Sequence, residues 1–178
     1  IRNNCDDYKY DMDKGESEDI SMKKIVDIIE KDAQTGAYKE SVIKEILEDE
    51  LSRAQRYKSE FSCILIDITS SGDLDELNTF LGDLVLKKIR TNDNFGRLND
   101  GRFIILTAGT SLSGAMILAE KIETIMSLET THDSQTLISF GITQIEDTDT
   151  SDTIMEKLED AVIRAKDTRT EGRIEIEI

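Results

Sequence analysis

The chain has 178 residues, enough for one domain with a substantial core and one short appended element. Its 38 acidic residues outnumber the 22 basic ones, which gives a net charge of −16, and it contains neither proline nor tryptophan. This charge disfavours nucleic acid and anionic membranes as partners, because both attract basic surfaces. A local basic pocket for a small phosphate compound is still compatible with the negative net charge.

The cysteines and the hydropathy pattern indicate the cellular compartment of the protein. Cys5 and Cys63 lie far apart and suggest no disulfide framework, and Cys63 falls in the apolar run FSCILIDI, which predicts a buried side chain. No apolar run reaches the length of a membrane span, and no signal-peptide pattern occurs. We expect a cytoplasmic location, including the cytoplasmic part of a membrane-associated protein. Because the sequence starts at Ile1 rather than Met, we expect it to be part of a longer protein.

The chain divides into three predicted parts. Residues 1–18 are polar and acidic, and they predict a loose tail or linker. A short connector helix is predicted over residues 19–31, from the spacing of Ile20, Ile25, Ile28 and Ile29. This helix either packs on its own domain or connects and dimerises an upstream module. Residues 32–178 are expected to form the main domain.

The main domain alternates helical and strand patterns. A long helix carries an apolar face from Tyr38 to Ala54, and FSCILIDI at 61–68 is typical of a central strand that is covered on both faces. Further elements are predicted as helices around 74–89, 112–126 and 154–165, a hairpin at 95–107, and strands at 136–145 and 173–178. This order predicts an α/β (α+β) fold in which helices flank a central five-stranded, mostly antiparallel sheet.

Several short motifs occur in the order of GGDEF domains, the diguanylate cyclase family. Asp32-x-x-Thr35-Gly36 resembles the family's DxLTG opening, and Gly82-Asp83-x-x-Leu86 resembles its GDxxL segment. The remaining matches are LIDI at 65–68, RLNDGRF at 97–103 in the place of RxGGDEF, SFGI at 139–142 and AK at 165–166. The resemblance covers residues 32–178 and implies the palm-like fold of nucleotidyl cyclases.

The resemblance also implies a test for catalysis. Active members join two GTP molecules into cyclic di-GMP, using two divalent metals that carboxylates on neighbouring strands hold. The first carboxylate matches Asp67, but the second falls on Gly101, and a cation, Arg102, follows it. Asn99 and Asp100 replace two glycines that let the backbone approach the phosphates. The sequence therefore predicts no cyclase activity, no catalytic residue, no bound metal and no resident cofactor.

Three positions are predicted to be active-site remnants: Asp67, Asp83 and Lys166. The segment after Asp67 is shorter than the family's DxDxFKxxND pattern, places Thr69 at the second Asp, and lacks counterparts of the phosphate-binding lysine and the guanine-reading asparagine. Asp100 is disfavoured as a shifted metal ligand, because a one-residue shift on a hairpin turns a side chain elsewhere.

The motif Arg90-Thr91-Asn92-Asp93 resembles the family's RxxD inhibitory site, which binds cyclic di-GMP in relatives, often as a stacked dimer. An arginine fork fits the O6/N7 edge of guanine or a phosphate, and an aspartate accepts from the guanine N1–H and N2–H₂ donors. The resemblance also places Lys121 where relatives have a further arginine, so the charge is kept but the fork is lost. The structural alternatives are a helix-terminal cation for Arg90 and a turn residue for Asp93.

The sequence thus predicts a catalytically inactive GGDEF-like receptor that binds cyclic di-GMP through Arg90, Asp93 and Lys121. The expected partners are cyclic di-GMP, a protein partner or an upstream sensory or membrane domain, and a second copy in a homodimer, but no nucleic acid. Two alternatives stay open: an interaction module that binds no nucleotide, and a residual GTP- or ATP-binding domain. Asp32 and Arg97 are expected to form a structural ion pair, and His132 to be solvated.

Overall fold

The structure, a computed structural model, describes residues 22, 24–130, 136–167 and 173–177. The chain divides into two compact units, and the boundary between them lies between Lys31 and Asp32. In the first unit, residues 24–30 form a helix, α1, and its isoleucine side chains are exposed. The predicted tail, Ile20 and His132 lie outside the described residues. Among the helices that the structure describes, none is both long enough and apolar enough to cross a membrane.

The second unit is built on one mixed sheet. Its elements in chain order are β1 (Tyr38–Lys39), α2 (Glu40–Tyr57), β2 (Phe61–Thr69), α3 (Leu74–Lys88), β3 (Asn94–Arg97), β4 (Phe103–Ala108), α4 (Leu112–Glu129), β5 (Leu137–Gln144), α5 (Ser151–Asp167) and β6 (Arg173–Glu177). The strand order is β1-β3-β4-β2-β5-β6. The inner pairs are antiparallel, and the two outer pairs, β1 with β3 and β5 with β6, are parallel. The predicted fold class is confirmed.

The sheet has one strand more than predicted. Tyr38, which the apolar pattern placed on the long helix, instead pairs with Gly96 in the two-residue strand β1. Lys39 keeps an extended backbone at the helix N-cap, so α2 starts only at Glu40. The open edge of β3 explains the difference, because its unpaired backbone groups accept a short strand that a helical periodicity does not reveal.

The central strand β2 separates two hydrophobic cores. Ile64 and Ile66 pack towards α3 and α4, whereas Cys63 and Leu65 pack towards α2 and α5. All four side chains are fully buried, as the apolar run predicted. Burial raises the pKa of the Cys63 thiol, so this cysteine is a packing residue and not a reactive one. The domain is therefore a three-layer sandwich with helices on both faces of the sheet.

The turn at residues 32–36 joins the start of the domain to the sheet. The Asp32 carboxylate accepts hydrogen bonds from the Thr35 backbone N–H at 3.0 Å and from its hydroxyl at 2.6 Å. Arg97 of β3 donates to the same carboxylate at 3.0 Å and to the Gln34 side-chain oxygen at 2.7 Å. The predicted Asp32–Arg97 ion pair is thus confirmed. The Arg97 guanidinium also lies 5.3 Å from the centre of the Phe103 ring.

Helix α3 packs closely on this turn at Gly82. A Cβ atom at Gly82 would lie 2.6 Å from the Thr35 carbonyl oxygen, a distance that neither backbone tolerates. The glycine therefore sets how closely α3 approaches the turn.

Gly82→Ala is expected to destabilise the domain by about 1–3 kcal/mol through overpacking, although the same change in an open helix stabilises by about 0.5–1 kcal/mol. The neighbouring Asp83 is exposed, so Asp83→Ala serves as the control, with an expected change within about 0.5 kcal/mol. Urea unfolding measures both. Equal stability of Gly82→Ala and the wild type would contradict the close contact.

Asp32→Asn is expected to lower the free energy of unfolding by about 1–2 kcal/mol at pH 7. Burial alone would raise the Asp32 pKa, but the hydrogen bonds from Thr35 and Arg97 hold it below the ordinary value of 3.8. Because the folded pKa is depressed, the ionised form is favoured by folding, and its contribution is lost as the pH falls through the folded pKa.

The difference between Asp32→Asn and the wild type should accordingly stay constant down to about pH 5 and shrink below the ordinary pKa of 3.8. Asp160→Asn is a matched control, because Asp160 is exposed on α5 and forms no ion pair with a described residue. Unfolding measured from pH 7 down to pH 3 tests this; a difference that grows on acidification would contradict it.

Candidate functional site

A cleft of ≈ 360 Å³ lies beside the C-terminal end of α3, and we call it the RxxD cleft. Its lining residues are Lys88, Arg90, Asp93, Thr107, Thr110, Gly114, Ile117, Leu118 and Lys121. The structure therefore brings together Arg90, Asp93 and Lys121, the three residues that the sequence predicts to bind a ligand. They come from the turn after α3 and from α4, so only the folded sheet places them on one cavity.

Asp93 closes the turn that follows α3 and keeps one oxygen unused. The Arg90 backbone N–H donates to Asp93 Oδ2 at 2.9 Å, and the Asp93 N–H donates to the Arg90 carbonyl oxygen at 3.1 Å. Asp93 Oδ1 is buried and has no hydrogen-bond partner in the part of the chain that the structure describes. A buried carboxylate oxygen without a donor is costly, so a small shift of the turn that exposes this atom to a ligand N–H would be favoured.

The RxxD cleft is locally basic. Lys88, Arg90 and Lys121 are exposed, and within the described ranges none of their side chains forms an ion pair or a hydrogen bond. Three cations thus face one carboxylate in a chain whose net charge is −16. Such a cleft favours a small anion, because its three cations outnumber its one carboxylate.

Lys88 is the residue that sequence reasoning missed. It belongs to the last turn of α3, where a lysine is also favoured by the helix dipole, and its neighbour Lys87 occupies the same turn without lining the cleft. The only signal in the sequence was its position two residues before Arg90.

The other side of the same turn carries a second cleft of ≈ 370 Å³. Thr91 and Asn92, the middle residues of the motif, line it together with Arg53 of α2. The Arg53 guanidinium is paired with Glu50 at 2.9 Å, so its charge is already partly compensated. The two clefts thus differ in whether their cations are paired within the domain.

The hairpin that replaces the family signature forms a tight turn, as predicted. The Gly101 N–H donates to the Leu98 carbonyl at 3.0 Å, and the Leu98 N–H donates to the Arg102 carbonyl at 2.8 Å. Gly101 has a φ of +92°, in the region where a side chain is strained. The position that carries the second metal carboxylate in the family is therefore a glycine whose conformation disfavours a carboxylate side chain.

Arg102 is held by two carboxylates. Its Nε donates to Asp100 at 2.8 Å, and its terminal nitrogen donates to Glu159 of α5 at 2.8 Å. Burial alone would raise the Asp100 pKa, but the hydrogen bonds from Arg102 hold it below its ordinary value. Asp100 is thus engaged by the neighbouring guanidinium.

The three residues predicted to be active-site remnants are separated into a pair and an isolated residue. Lys166 of α5 donates to the Asp67 carboxylate at 2.7 Å, so a side-chain ammonium neutralises the carboxylate that the resemblance matches to a metal ligand. Asp83 is exposed and lines a different, shallow groove with Asp73 and Asp75. The described residues contain no group of three or more His, Cys, Asp or Glu that could hold a metal ion.

Comparisons with known proteins identify the family. The model "Diguanylate cyclase, GGDEF domain" matches residues 29–172. No curated protein sequence matches the chain significantly.

Solved structures resemble the chain in fold. The coiled coil and GGDEF domain of DgcB from Caulobacter crescentus, in complex with c-di-GMP, is 12% identical with a TM-score of 0.76, over 95% of this chain and 96% of that one. A microbial GGDEF domain studied with cyclic di-GMP is 17% identical with a TM-score of 0.74, over 86% and 99%. The diguanylate cyclase SiaD from Pseudomonas aeruginosa, in complex with its activator SiaC, is 18% identical with a TM-score of 0.72, over 95% and 71%. The motif order, the three-layer fold and the family match agree, and the chain belongs to the GGDEF domain family.

Proposed function

We propose that this GGDEF domain makes no cyclic di-GMP and instead acts as its receptor, with the ligand bound in the RxxD cleft by Arg90, Asp93, Lys121 and Lys88. One contrast carries the proposal. The charged groups of the RxxD cleft are unpaired within the described residues, whereas Asp67, Asp100 and Arg102 of the former catalytic site are paired with protein side chains.

The chemistry of the RxxD cleft fits a guanine cyclic dinucleotide. The Arg90 fork donates to the O6/N7 edge of a guanine, and the Asp93 carboxylate, whose Oδ1 has no donor among the described residues, accepts from its N1–H and N2–H₂. Lys88 and Lys121 offset the two phosphodiester charges. Ile117 and Leu118 supply apolar surface for the flat face of a base.

The same geometry argues against catalysis. A metal at Asp67 would have to displace the Lys166 ammonium, and the second carboxylate that holds the metals in the family is absent at Gly101. Arg102 adds positive charge beside the place where two cations would have to bind. Loss of metal ligation and metal charge together removes the main source of transition-state stabilisation for phosphoryl transfer.

Signal relay is the further part of the proposal. The exposed isoleucines of α1 offer an apolar face for a second copy, an attached domain or a protein partner in the cytoplasm. The DgcB structure contains a coiled coil next to its GGDEF domain, and SiaD was solved with a protein activator, so both kinds of contact occur in structures of this fold.

Calorimetric titration of the purified chain with cyclic di-GMP is expected to show saturable binding, and Arg90→Ala to weaken it by about 10- to 100-fold, because a bidentate guanine contact is lost. Lys88→Ala should weaken it by about 5-fold through the loss of one phosphate contact. Lys87→Ala is the matched control, since Lys87 shares the helical turn but does not line the cleft.

No heat with cyclic di-GMP would overturn the receptor proposal and favour the interaction module. Saturable binding of GTP or ATP that survives Arg90→Ala would instead favour a residual nucleotide site. Equal affinity of Arg90→Ala and the wild type for cyclic di-GMP would place the ligand elsewhere on the domain.

Incubation with GTP and either Mg²⁺ or Mn²⁺ is expected to yield no cyclic di-GMP by chromatography, for the wild type and for Lys166→Ala alike. Removal of the lysine frees Asp67 but restores no second carboxylate at Gly101. Product formation by the wild type would contradict the inactive state, and product from Lys166→Ala alone would show that one carboxylate suffices.

A further inference from the structure

The RxxD cleft holds only one complete set of guanine-reading groups. Among the described residues that line it, Arg90 is the single guanidinium and Asp93 the single carboxylate. The other two charges belong to Lys88 and Lys121. A cyclic dinucleotide has two bases, so the cleft contains one base-reading pair for a ligand that presents two.

The lysines are suited to phosphates rather than to base edges. An ammonium group is a compact point charge with rotatable donors. It can donate to guanine O6 and N7, but it lacks the planar fork of a guanidinium and cannot accept from the guanine N1–H and N2–H₂ donors. Lys88 ends α3 and Lys121 lies on α4, so the two charges flank the Arg90–Asp93 turn from separate helices. The cleft thus combines one base-specific contact with two contacts that any cyclic dinucleotide satisfies.

The remaining polar groups of the cleft are already engaged. The Thr107 hydroxyl donates to the Ser62 carbonyl at 2.7 Å, and the Thr110 hydroxyl donates to the Ala108 carbonyl at 3.4 Å. Ile117 and Leu118 offer apolar surface to a base, and such surface does not distinguish guanine from adenine. The guanidinium of Arg53 lines the second cleft instead and is paired with Glu50.

We propose, building on the receptor function above, that the RxxD cleft reads one guanine and leaves the second base unread. Its ligand class is then any cyclic dinucleotide with two 3′,5′ linkages and at least one guanine, including the mixed guanine–adenine compound. Adenine cannot replace the guanine that is read, because its N1 accepts and its N6 donates, opposite to what Asp93 and Arg90 need.

Calorimetry of the full chain with three probes tests this: cyclic di-GMP, the mixed cyclic GMP–AMP with two 3′,5′ linkages, and cyclic di-AMP. The mixed compound should bind within about 4-fold of cyclic di-GMP, a range that includes the twofold advantage of two equivalent guanines. Cyclic di-AMP should bind at least about 5- to 150-fold more weakly, the usual discrimination of one bidentate base contact. A mixed compound as weak as cyclic di-AMP would overturn the proposal, whereas failure of cyclic di-GMP itself would overturn the receptor function.

Lys121→Arg provides a second, independent test. A guanidinium at position 121 supplies the missing fork, so the preference for cyclic di-GMP over the mixed compound should rise by about 10-fold. Lys87→Arg, on the same protein but outside the cleft, should leave that preference unchanged. If Lys121→Arg leaves the ratio of the two affinities unchanged, Lys121 does not face the second base. That result would overturn the proposal that the second base is unread because position 121 lacks a guanidinium.

Discussion

The Asp32 carboxylate organises the domain, because three hydrogen bonds meet on a single oxygen atom. Two come from Thr35 and shape the first turn, and the third comes from Arg97 on β3, so the start of the domain is tied to the signature hairpin. Gly82 then lets α3 lie directly on Thr35. The end of α3 carries Lys88 and the motif turn, so the position of that turn depends on the contact between Gly82 and Thr35 near the start of the domain.

The distribution of paired charges distinguishes the two sites that a GGDEF domain offers. Around the signature hairpin the side chains satisfy one another: Lys166 binds Asp67, and Arg102 binds both Asp100 and Glu159. At the RxxD cleft Arg90 has no such partner among the described residues, and Asp93 retains a buried oxygen without a donor. The charges of the first site therefore neutralise one another, whereas the second keeps three exposed cations that are available to an anionic ligand.

Much of the fold follows from periodicity. The continuous apolar run of β2 predicted a strand covered on both faces, and the apolar spacing predicted a helix where α5 lies. The two-residue strand β1 was not predicted, because its pairing with β3 is a contact between distant segments that leaves no local pattern. Lys88 was not predicted for a related reason. The helix dipole already accounts for a lysine in the last turn of a helix, and only the residues across the cleft suggest that Lys88 binds a ligand.

The sequence by itself determined the family resemblance, the missing carboxylate at position 101 and the presence of Arg90 and Asp93, because these depend only on residue identity and spacing. It could not determine which charges are neutralised. The tertiary structure decided that, by bringing Lys166 of α5 to Asp67 and Glu159 to Arg102, while Lys121 of α4 lines the RxxD cleft. Ion pairing requires atoms a few ångströms apart, and only the packing of helices on the sheet sets such distances between residues remote in the chain.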